Sequence, residues 1–500
     1  MANHLFPNRT LNQIRSAALI FPPLGLVWLW ASRQVSVLRK ILGTCGIAAY
    51  SLLYIALFIF LMVRFAGMET EFRGGYIPYF TFHKTKPDFS ALEANRVASR
   101  EKALGRNPSS ISSYWTGYRG PKRDGHYTER SIATNWPASG LKPLWRQPVG
   151  GGYASFAVSE GRAFTIEQRR DQEVATAYAI DSGAELWAVG WKAEFTEQLG
   201  GDGPRATPVA DGTLVYFLGA LGELRCLDTA SGKMLWRRNI VEDTHAPLLV
   251  YGMAASPLII GEKLIVTPGG PRTYSVLALN KKTGETIWHA LDDEAAYSSP
   301  MEVELAGKRQ LLVVCETRAV GLDPDGGKLL WEFPWVVAMG NRNISQPLLL
   351  SSNRFFLSAG YGTGCVAVEV NQSGPNYSAR AVWRNKNLKN KFSSSVFHNG
   401  NIYGLDEDLL TCLNAETGSR EWKEGRYGYG QLLLASDRLV ILSGSGELAL
   451  VAARSDRHLE LARFSAIQGK TWNHPAINDG RILLRNSREM ACFDLTGAQR

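Results

Sequence analysis

Closely spaced cysteines are missing from this chain, although six cysteines occur among its 500 residues. No two are adjacent, and no CxxC or CxxCH segment is present, so the sequence offers no zinc, haem-attachment or thioredoxin-like motif. Cys226, Cys412 and Cys492 occupy matching positions in similar segments, and Ala278 stands at the same position in another. A position that accepts either Cys or Ala indicates a small buried core site.

Features that mark several other classes of function are also missing. The net charge of +9 is spread along the chain without a basic stripe or a known reader motif, so we predict no nucleic-acid partner. No nucleophile elbow is present, and no paired carboxylates indicate an enzyme that acts on polysaccharides. The surplus of positive charge favours anionic ligands or acidic surfaces.

Charge is absent from residues 41–63, a mostly apolar stretch of 23 residues that is long enough to cross a bilayer as one helix. We predict a transmembrane helix there, preceded by a cytoplasmic or interfacial segment over residues 1–40. Arg33, Arg39 and Lys40 precede the apolar stretch. The positive-inside tendency places them in the cytoplasm and the rest of the chain on the extracytoplasmic, periplasmic side of the cell membrane.

Two further segments flank this helix. Residues 16–32 are also uncharged, but they are shorter and are interrupted by Pro22 and Pro23. They are either a second membrane span or an interfacial or re-entrant segment, and the interruption favours the latter. Residues 64–113 have little hydrophobic periodicity beyond a short candidate helix near residues 89–104, and we predict that they form a linker.

A turn glycine followed four residues later by tryptophan recurs through the rest of the chain. The pairs are Gly183/Trp187, Gly232/Trp236, Gly284/Trp288, Gly327/Trp331 and Gly418/Trp422. Short runs of Val, Ile, Leu and Tyr between turn residues predict strands. Four strands in a unit of about 40 to 50 residues are typical of a β-propeller blade.

The repeats predict an all-β domain over residues 114–500, an eight-bladed β-propeller of four-stranded antiparallel blades. Two units are irregular, so seven blades is the alternative. The chain ends in a strand and turn without a tryptophan, whereas residues 142–145 form a closing strand that lacks the rest of its unit. We therefore predict that residues 142–145 complete the last blade and close the ring, which removes open sheet edges.

Five units begin with a polar residue before proline, at Thr207, Ser256, Ser299, Gln346 and His474. Proline cannot donate a hydrogen bond to a strand ladder, so it belongs at strand starts or edges. The innermost strand of a blade is such an edge. We therefore expect these polar residues to surround one mouth of the central channel.

The Gly-x-x-x-Trp turns and Leu-x-x-Leu-Asp strands resemble the pyrroloquinoline-quinone-like (PQQ-like) propeller repeats of quinoprotein alcohol dehydrogenases and of the outer-membrane assembly scaffold BamB. Residues 115–125 and 200–208 resemble a narrower group of membrane-anchored bacterial PQQ-like proteins. The resemblance covers residue 115 to the carboxyl terminus and implies the propeller fold, with PQQ as a cofactor by resemblance only. Those dehydrogenases hold the quinone against adjacent cysteines and beside a calcium ion. Adjacent cysteines are missing here.

Candidate site residues are those expected near the channel mouth. In residues 200–208, glycines would let backbone amides approach a ligand, and Asp202 and Arg205 would orient that ligand beside Thr207. The alternative is a tight loop without a ligand, in which Asp202 and Arg205 pair with each other. Lys391 and Lys470 precede inner strands, as Arg342 does, and would make the mouth basic unless they are solvated surface charges. Asn473 and His474 begin the last unit, where His474 is a base, a ligand or a polar rim residue.

Aromatic residues in 392–395 and 427–431 would add to the same rim, and Glu167 could supply an acid or a metal oxygen. With no metal ligands transferable from the resemblance, we predict a membrane-anchored binding or scaffolding module. Its ligand would be a protein partner on the propeller face or an anionic small molecule in the channel. The alternative is a PQQ-dependent oxidoreductase with altered site residues.

Overall fold

The computed structural model describes residues 10–32, 34–66, 68–71, 79–82, 89–103, 113–197 and 200–497. The described residues fall into two units. One extends to Glu71 and includes the strand at residues 79–82, and the other begins at Phe89.

The first unit contains three helices and a two-stranded antiparallel sheet: α1 (Leu11–Ile20), α2 (Pro22–Ala31), α3 (Val37–Ala66), β1 (Met68–Glu71) and β2 (Tyr79–Phe82). Thr10 and Gln13 form a capping box at the start of α1, and proline occupies the first turn of α2, where a missing N–H costs nothing. Among the described residues, one helix is long and apolar enough to span a membrane, over Val37–Phe65 with a mean hydropathy of 2.3.

The second unit begins with α4 (Phe89–Ala103), β3 (His126–Tyr127) and β4 (Pro143–Pro148). Eight four-stranded antiparallel blades follow, and β3 adds a fifth, parallel strand to blade 7. The eight-bladed propeller predicted from the sequence is therefore confirmed.

The blades are built from consecutive strands, with β4 supplying the fourth strand of blade 8. Blade 1 comprises β5 (Ala157–Ser159), β6 (Arg162–Arg169), β7 (Gln172–Ala179) and β8 (Glu185–Lys192), and blade 2 comprises β9 (Val209–Asp211), β10 (Leu214–Leu218), β11 (Glu223–Asp228) and β12 (Met234–Asn239). Blade 3 comprises β13 (Leu258–Ile260), β14 (Lys263–Val266), β15 (Val276–Asn280) and β16 (Thr286–Ala290), and blade 4 comprises β17 (Met301–Leu305), β18 (Lys308–Val314), β19 (Arg318–Leu322) and β20 (Leu329–Pro334). Blade 5 comprises β21 (Leu348–Leu349), β22 (Arg354–Ala359), β23 (Gly364–Ser373) and β24 (Asn376–Asn385), and blade 6 comprises β25 (Val396–His398), β26 (Asn401–Asp406), β27 (Leu409–Asn414) and β28 (Arg420–Arg426). Blade 7 comprises β29 (Gln431–Ala435), β30 (Arg438–Leu442), β31 (Glu447–Ala452) and β32 (Glu460–Ser465), and blade 8 comprises β33 (Ala476–Asn478), β34 (Arg481–Arg485) and β35 (Glu489–Asp494) together with β4. A short helix, α5 (Ile240–Thr244), follows blade 2, and a 3-10 turn (Ala338–Gly340) follows blade 4.

Ring closure joins the two ends of the propeller sequence. Strand β4 pairs antiparallel with β35, with Trp145 opposite Cys492, as the sequence predicted. Helix α4 lies against the outer strands of the two blades that meet there: Asn95 Nδ2 donates to Gln147 Oε1 on β4 at 2.5 Å, and Arg96 Nε donates to Glu185 Oε2 on β8 at 2.6 Å. The candidate helix near residues 89–104 is therefore a helix, and it packs against the two blades that meet where the ring closes.

The Gly-x-x-x-Trp repeat has a physical cause in blade-to-blade packing. Gly327 has a φ of +72°, and a Cβ there would lie 2.7 Å from the ring of Trp288 on the preceding blade. Only glycine suits both conditions. The Trp288 indole N–H donates to the Pro324 carbonyl of the same turn. Four more glycines meet the tryptophan of the preceding blade in this way: Gly183 with Trp145, Gly232 with Trp187, Gly284 with Trp236, and Gly418 with Trp383.

Blade 5 departs from the repeat. Its two outer strands, β23 and β24, are ten residues long, and the turn between them places Gly374 nine residues before Trp383 instead of four. The indole N–H of Trp331 on blade 4 donates to Gln310 Oε1 of its own blade at 2.6 Å, whereas the indole of Trp288 donates to a turn carbonyl of the next blade.

Candidate functional site

A ring of hydrogen bonds links the innermost strands around the channel. It uses the polar residues that the sequence placed at the strand starts. Thr207 accepts from Ser155 N and donates its own N–H to Ser256 Oγ, both at 2.9 Å. The bonds continue from Ser256 N to Ser299 Oγ, Ser299 N to Gln346 Oε1, Gln346 N to Ser394 Oγ, Gln431 Nε2 to the Phe392 and Trp472 carbonyls, and Ser155 Oγ to the His474 carbonyl. These side chains tie each blade to the next.

A segment before the propeller, residues 113–127, lies inside this ring, and we call it the channel segment. Its backbone bonds the inner strands of blades 1, 2 and 7 through Val158 N, Ala210 N and Leu434 N. Arg123 is 3% exposed and donates to the carbonyls of Ser256, Pro257 and Pro300 on blades 3 and 4. A chain segment can reach all these strands only along the ring axis.

Arg119 and His474 join the channel segment to blades 6, 7 and 8. Arg119 donates to the Ser395 carbonyl at 2.8 Å, and its Nη1 lies 3.1 Å from His474 Nε2. His474 Nδ1 lies 2.7 Å from the Pro475 carbonyl. Burial, together with the nearby Arg119 charge, lowers the pKa of His474 to about 3. A neutral imidazole that donates from Nδ1 and accepts from Arg119 at Nε2 satisfies both contacts.

Three cationic side chains meet one group of aromatic rings on the loops that lead into the inner strands. Arg205 lies over the Tyr153 ring at 5.4 Å, and Lys470 lies over the Tyr153 and Trp472 rings at 5.6 and 4.2 Å. Lys391 lies over the Phe392 and Tyr429 rings at 5.5 and 4.7 Å. We call these seven residues the mouth cluster: Tyr153, Arg205, Lys391, Phe392, Tyr429, Lys470 and Trp472.

The aromatic rings of the mouth cluster are continuous. Trp472 contacts Tyr153, Phe392 and Tyr429, with ring centroids 5.7, 4.7 and 6.1 Å apart. Because these residues come from blades 1, 6, 7 and 8, their rings extend across the blade boundaries. Tyr153, Phe392 and Trp472 are each partly exposed. The cluster therefore presents a partly exposed aromatic surface carrying positive charge.

The cations of the mouth cluster bond to neutral oxygens. Arg205 donates to the carbonyls of Gly201 and Gly203, both at 2.8 Å, and Lys391 donates to the Tyr429 hydroxyl at 3.1 Å. Burial lowers the pKa of Arg205, while Tyr153, Glu197 and Asp202 nearby oppose that change. Lys470 donates to the Gly200 carbonyl at 2.7 Å. Cations that lie over aromatic faces are suited to bond an anionic group.

The candidate residues from the sequence divide into two sets. Arg205, Lys391 and Lys470 come together in the mouth cluster. Thr207, Asn473 and His474 are buried in the channel wall, where Asn473 Nδ2 donates to the carbonyls of Gly152 and Ala154. Asp202 is exposed and accepts from Glu197 N at 3.4 Å. Arg342 lies outside the cluster and pairs with Glu294 at 2.5 Å.

The other sequence candidate, Glu167, is fully buried. It forms an ion pair with Arg169 and accepts from the Tyr178 hydroxyl and from Gly150 N. All of its visible contacts belong to the packing of blade 1.

Some mouth residues were not singled out from the sequence. Tyr153, Phe392 and Trp472 each stand four residues before an inner strand, and this shared spacing is the signal that could have identified Tyr153. Arg119 and Arg123 carry no such signal, because the blade residues to which they donate lie more than a hundred residues away in the sequence.

The donor set does not fit the calcium–quinone centre implied by the resemblance. Among the described residues, no group of three or more His, Cys, Asp or Glu side chains is arranged to hold a metal ion. The five propeller cysteines are buried and unpaired. Burial raises the pKa of Cys226, Cys315, Cys365 and Cys412 to about 12.

Comparisons with known proteins agree with this architecture. The family model described as outer membrane protein assembly factor BamB matches residues 170–424, just over half of the chain. BamB of Shewanella oneidensis is 22% identical over 304 residues, which cover 58% of this chain and 73% of that protein.

Two solved structures are similar in fold. BamB from Moraxella catarrhalis superposes with a TM-score of 0.53 at 13% identity, covering 72% of this chain and 99% of that one. The quinohemoprotein alcohol dehydrogenase from Comamonas testosteroni superposes with a TM-score of 0.55 at 13% identity, covering 83% and 85%. At this identity, the similarity shows the fold alone.

Proposed function

We propose, from the premise that this chain belongs to the family of the outer membrane protein assembly factor BamB, that it is a membrane-anchored, extracytoplasmic binding or scaffolding module. Its mouth cluster would bind an anionic group, carried by a protein partner or by a small ligand. The observation that carries this proposal is the convergence of Arg205, Lys391 and Lys470 on one aromatic surface.

Charge and exposure support the anionic ligand. A partly desolvated ammonium or guanidinium group bonds a carboxylate or phosphate more strongly than a neutral donor does. The surrounding aromatic rings exclude water on one side of Lys391 and Lys470, so the attraction is screened less than on an open surface. The ring of hydrogen bonds and the channel segment hold the backbone beneath the cluster. The cations would therefore be presented on a rigid support.

Exposed apolar side chains on two other loops that precede inner strands support a protein partner. Val250, beside Tyr251, is 74% exposed, and Met339 is 86% exposed at the tip of the 3-10 turn with a φ of +61°. That turn is tied to the next blade by a bond from Ala338 N to Thr363 Oγ1 at 2.9 Å. Large apolar side chains held in the open are typical of interaction surfaces, and flexible Met side chains adapt to partners.

The membrane anchor would be α3. In the span Val37–Phe65, no residue of the most apolar window is buried by other parts of the protein. Arg39 and Lys40 stand near its start and Arg64 near its end. The positive-inside tendency would place the start in the cytoplasm and the propeller on the periplasmic side.

The test is calorimetric titration of the full-length chain in nanodiscs with hexaglutamate and with citrate. We expect saturable binding at low salt that weakens as salt is added. The double variant Lys391→Gln/Lys470→Gln should weaken binding about tenfold, since each lost charge contributes up to about 1 kcal/mol. Lys233→Gln, at an exposed position directly before the outer strand of blade 2, is the matched control. Binding that is equal in the double variant and the control would contradict the proposal.

The oxidoreductase alternative needs a separate readout, because PQQ is itself an anionic aromatic molecule. Adding PQQ and calcium to the same nanodiscs should give no alcohol-dependent reduction of a redox dye. Saturable PQQ binding accompanied by such reduction would favour the enzyme over the binding module.

A further inference from the structure

Helices α1 and α2 form a tight antiparallel hairpin whose tip is Phe21. A Cβ on Gly25 would lie 2.4 Å from Ala18, so the two helices are in close contact near the tip. Ile14 and Leu29 lie in one buried cluster near the open end. Only one residue separates the helices, and proline at position 22 begins the second.

Polar side chains of α3 match the hairpin at two levels. At the open end, Lys40 Nζ donates to the Trp30 carbonyl at 3.0 Å, and Trp30 Nε1 donates to Thr44 Oγ1 at 2.9 Å. At the tip, the Tyr50 hydroxyl donates to the Leu19 carbonyl at 3.0 Å. Tyr50 follows Lys40 by ten residues, which is about 15 Å along a helix.

That distance is half the thickness of a hydrocarbon core of about 30 Å. Each hairpin helix is ten residues long and therefore also about 15 Å. With Lys40 at the membrane surface, the tip would reach the middle of the bilayer. Neither helix is long enough to cross, because a span needs about 20 residues.

We infer that α1 and α2 form a re-entrant hairpin that occupies only the leaflet on the side of Lys40, with both ends on that side and Phe21 at the midplane. The inference rests on the proposed role of α3 as the membrane span. The occupant of the exposed hairpin surface is lipid acyl chains, continuous with the lipid around α3. Ile20, Phe21 and Trp30 present that surface, at 78%, 59% and 51% exposure.

Backbone groups at the tip of the hairpin have hydrogen-bond partners within the protein, as a position in the hydrocarbon core requires. Unsatisfied backbone groups are costly in hydrocarbon, so irregular backbone needs partners from the protein. Phe21 N donates to the Ala17 carbonyl, and Leu24 N donates to the Phe21 carbonyl. Leu19, at the end of α1, has a carbonyl that the last helical turn leaves open, and Tyr50 supplies its donor. A hairpin lying in water or on the membrane surface would not need this hydroxyl, because water could supply the donor.

Cysteine labelling in intact spheroplasts tests the inference on the full-length chain. Cys45→Ala removes the exposed native cysteine, and the five propeller cysteines are buried. Single cysteines replace Asn12, Ile20 and Ser36 in turn, with Lys122→Cys as a propeller control. We expect a membrane-impermeant maleimide to label only Lys122→Cys from outside. After permeabilisation it should also label Asn12→Cys and Ser36→Cys, whereas Ile20→Cys should react only after detergent denaturation.

The alternatives give different patterns. Labelling of Asn12→Cys from outside while Ser36→Cys stays protected would show a second span and overturn the inference. Labelling of Ile20→Cys after permeabilisation alone would show a surface helix and also overturn it. If Ser36→Cys and Lys122→Cys react from the same side, α3 does not span, and the proposed anchor fails instead.

A second variant tests the contact that sets the depth of the tip. Tyr50→Phe removes the hydroxyl that bonds Leu19, and Tyr54→Phe, one turn further along α3, is the matched control. We expect Ile20→Cys to react several-fold faster in permeabilised membranes with Tyr50→Phe and at an unchanged rate with Tyr54→Phe. Equal rates in the two variants would contradict the role of Tyr50 in holding the tip at the midplane.

Discussion

Glu173 should make the stability of the propeller depend on pH. Its carboxylate lies fully buried between blades 1 and 2, where it accepts from Ala220 N at 2.7 Å and from Trp191 Nε1 at 3.1 Å. Burial is the main cause that raises its pKa from 4.5 to about 7, and the two hydrogen bonds oppose the rise.

The magnitude follows from proton linkage. Because the pKa is higher in the folded protein, the fold binds the proton of Glu173 more tightly than the unfolded chain does. The resulting stabilisation is full below about pH 4.5 and is lost as the pH rises through about 7. A difference of this size corresponds to about 3 kcal/mol. His474 acts in the opposite direction: its lowered pKa contributes stability above pH 6.5 that is lost as the pH falls toward 3.

The substitution Glu173→Gln separates the two effects, since it leaves His474 unchanged. We expect the difference in unfolding free energy between Glu173→Gln and the natural chain to shift by about 3 kcal/mol in favour of the variant between pH 4.5 and pH 8. Urea denaturation followed by tryptophan fluorescence measures it. The exposed Glu421→Gln is the control and should give a constant difference. A difference for Glu173→Gln that does not change with pH would refute the reasoning.

Two further substitutions test the packing of the ring by the same denaturation assay. Arg123→Met removes the donor for three carbonyls of blades 3 and 4 and should lower the free energy of unfolding by roughly 2 to 4 kcal/mol. The exposed Lys122→Met, at the adjacent position, is the control and should change that free energy little. Equal urea midpoints for the two variants would show that Arg123 does not stabilise the ring. Gly327→Ala should cost more than Gly307→Ala, because both glycines have positive φ but only Gly327 faces a tryptophan, Trp288. Equal losses at the two glycines would mean that the indole moves aside.

The blade count and the closure could be predicted because their causes are local. A turn with positive φ favours glycine at Gly327 whatever surrounds it, and the tryptophan four residues later marks the closing strand of the same unit. Trp145 ends a closing strand that lacks the other strands of its unit, so its position in blade 8 could be predicted from the sequence. Blade 5 shows the limit of this pattern, because its turn glycine, Gly374, stands nine residues before Trp383 instead of four.

The mouth cluster and the channel segment could be predicted only in part. Arg205, Lys391 and Lys470 were expected at the mouth from their places before inner strands. Their aromatic neighbours depend on side-chain directions set by packing between blades. Arg123 has no local pattern, because its three carbonyl partners come together only when the ring closes.

Locating a bound anion tests the central claim most directly. Crystals of the full-length chain soaked with 5-amino-2,4,6-triiodoisophthalate, a planar aromatic dicarboxylate, would show bound molecules by the anomalous signal of iodine. The account predicts the strongest iodine peaks against Trp472, with the carboxylates facing Lys391 and Lys470. Occupied sites elsewhere on the propeller, with none at the mouth cluster, would contradict it.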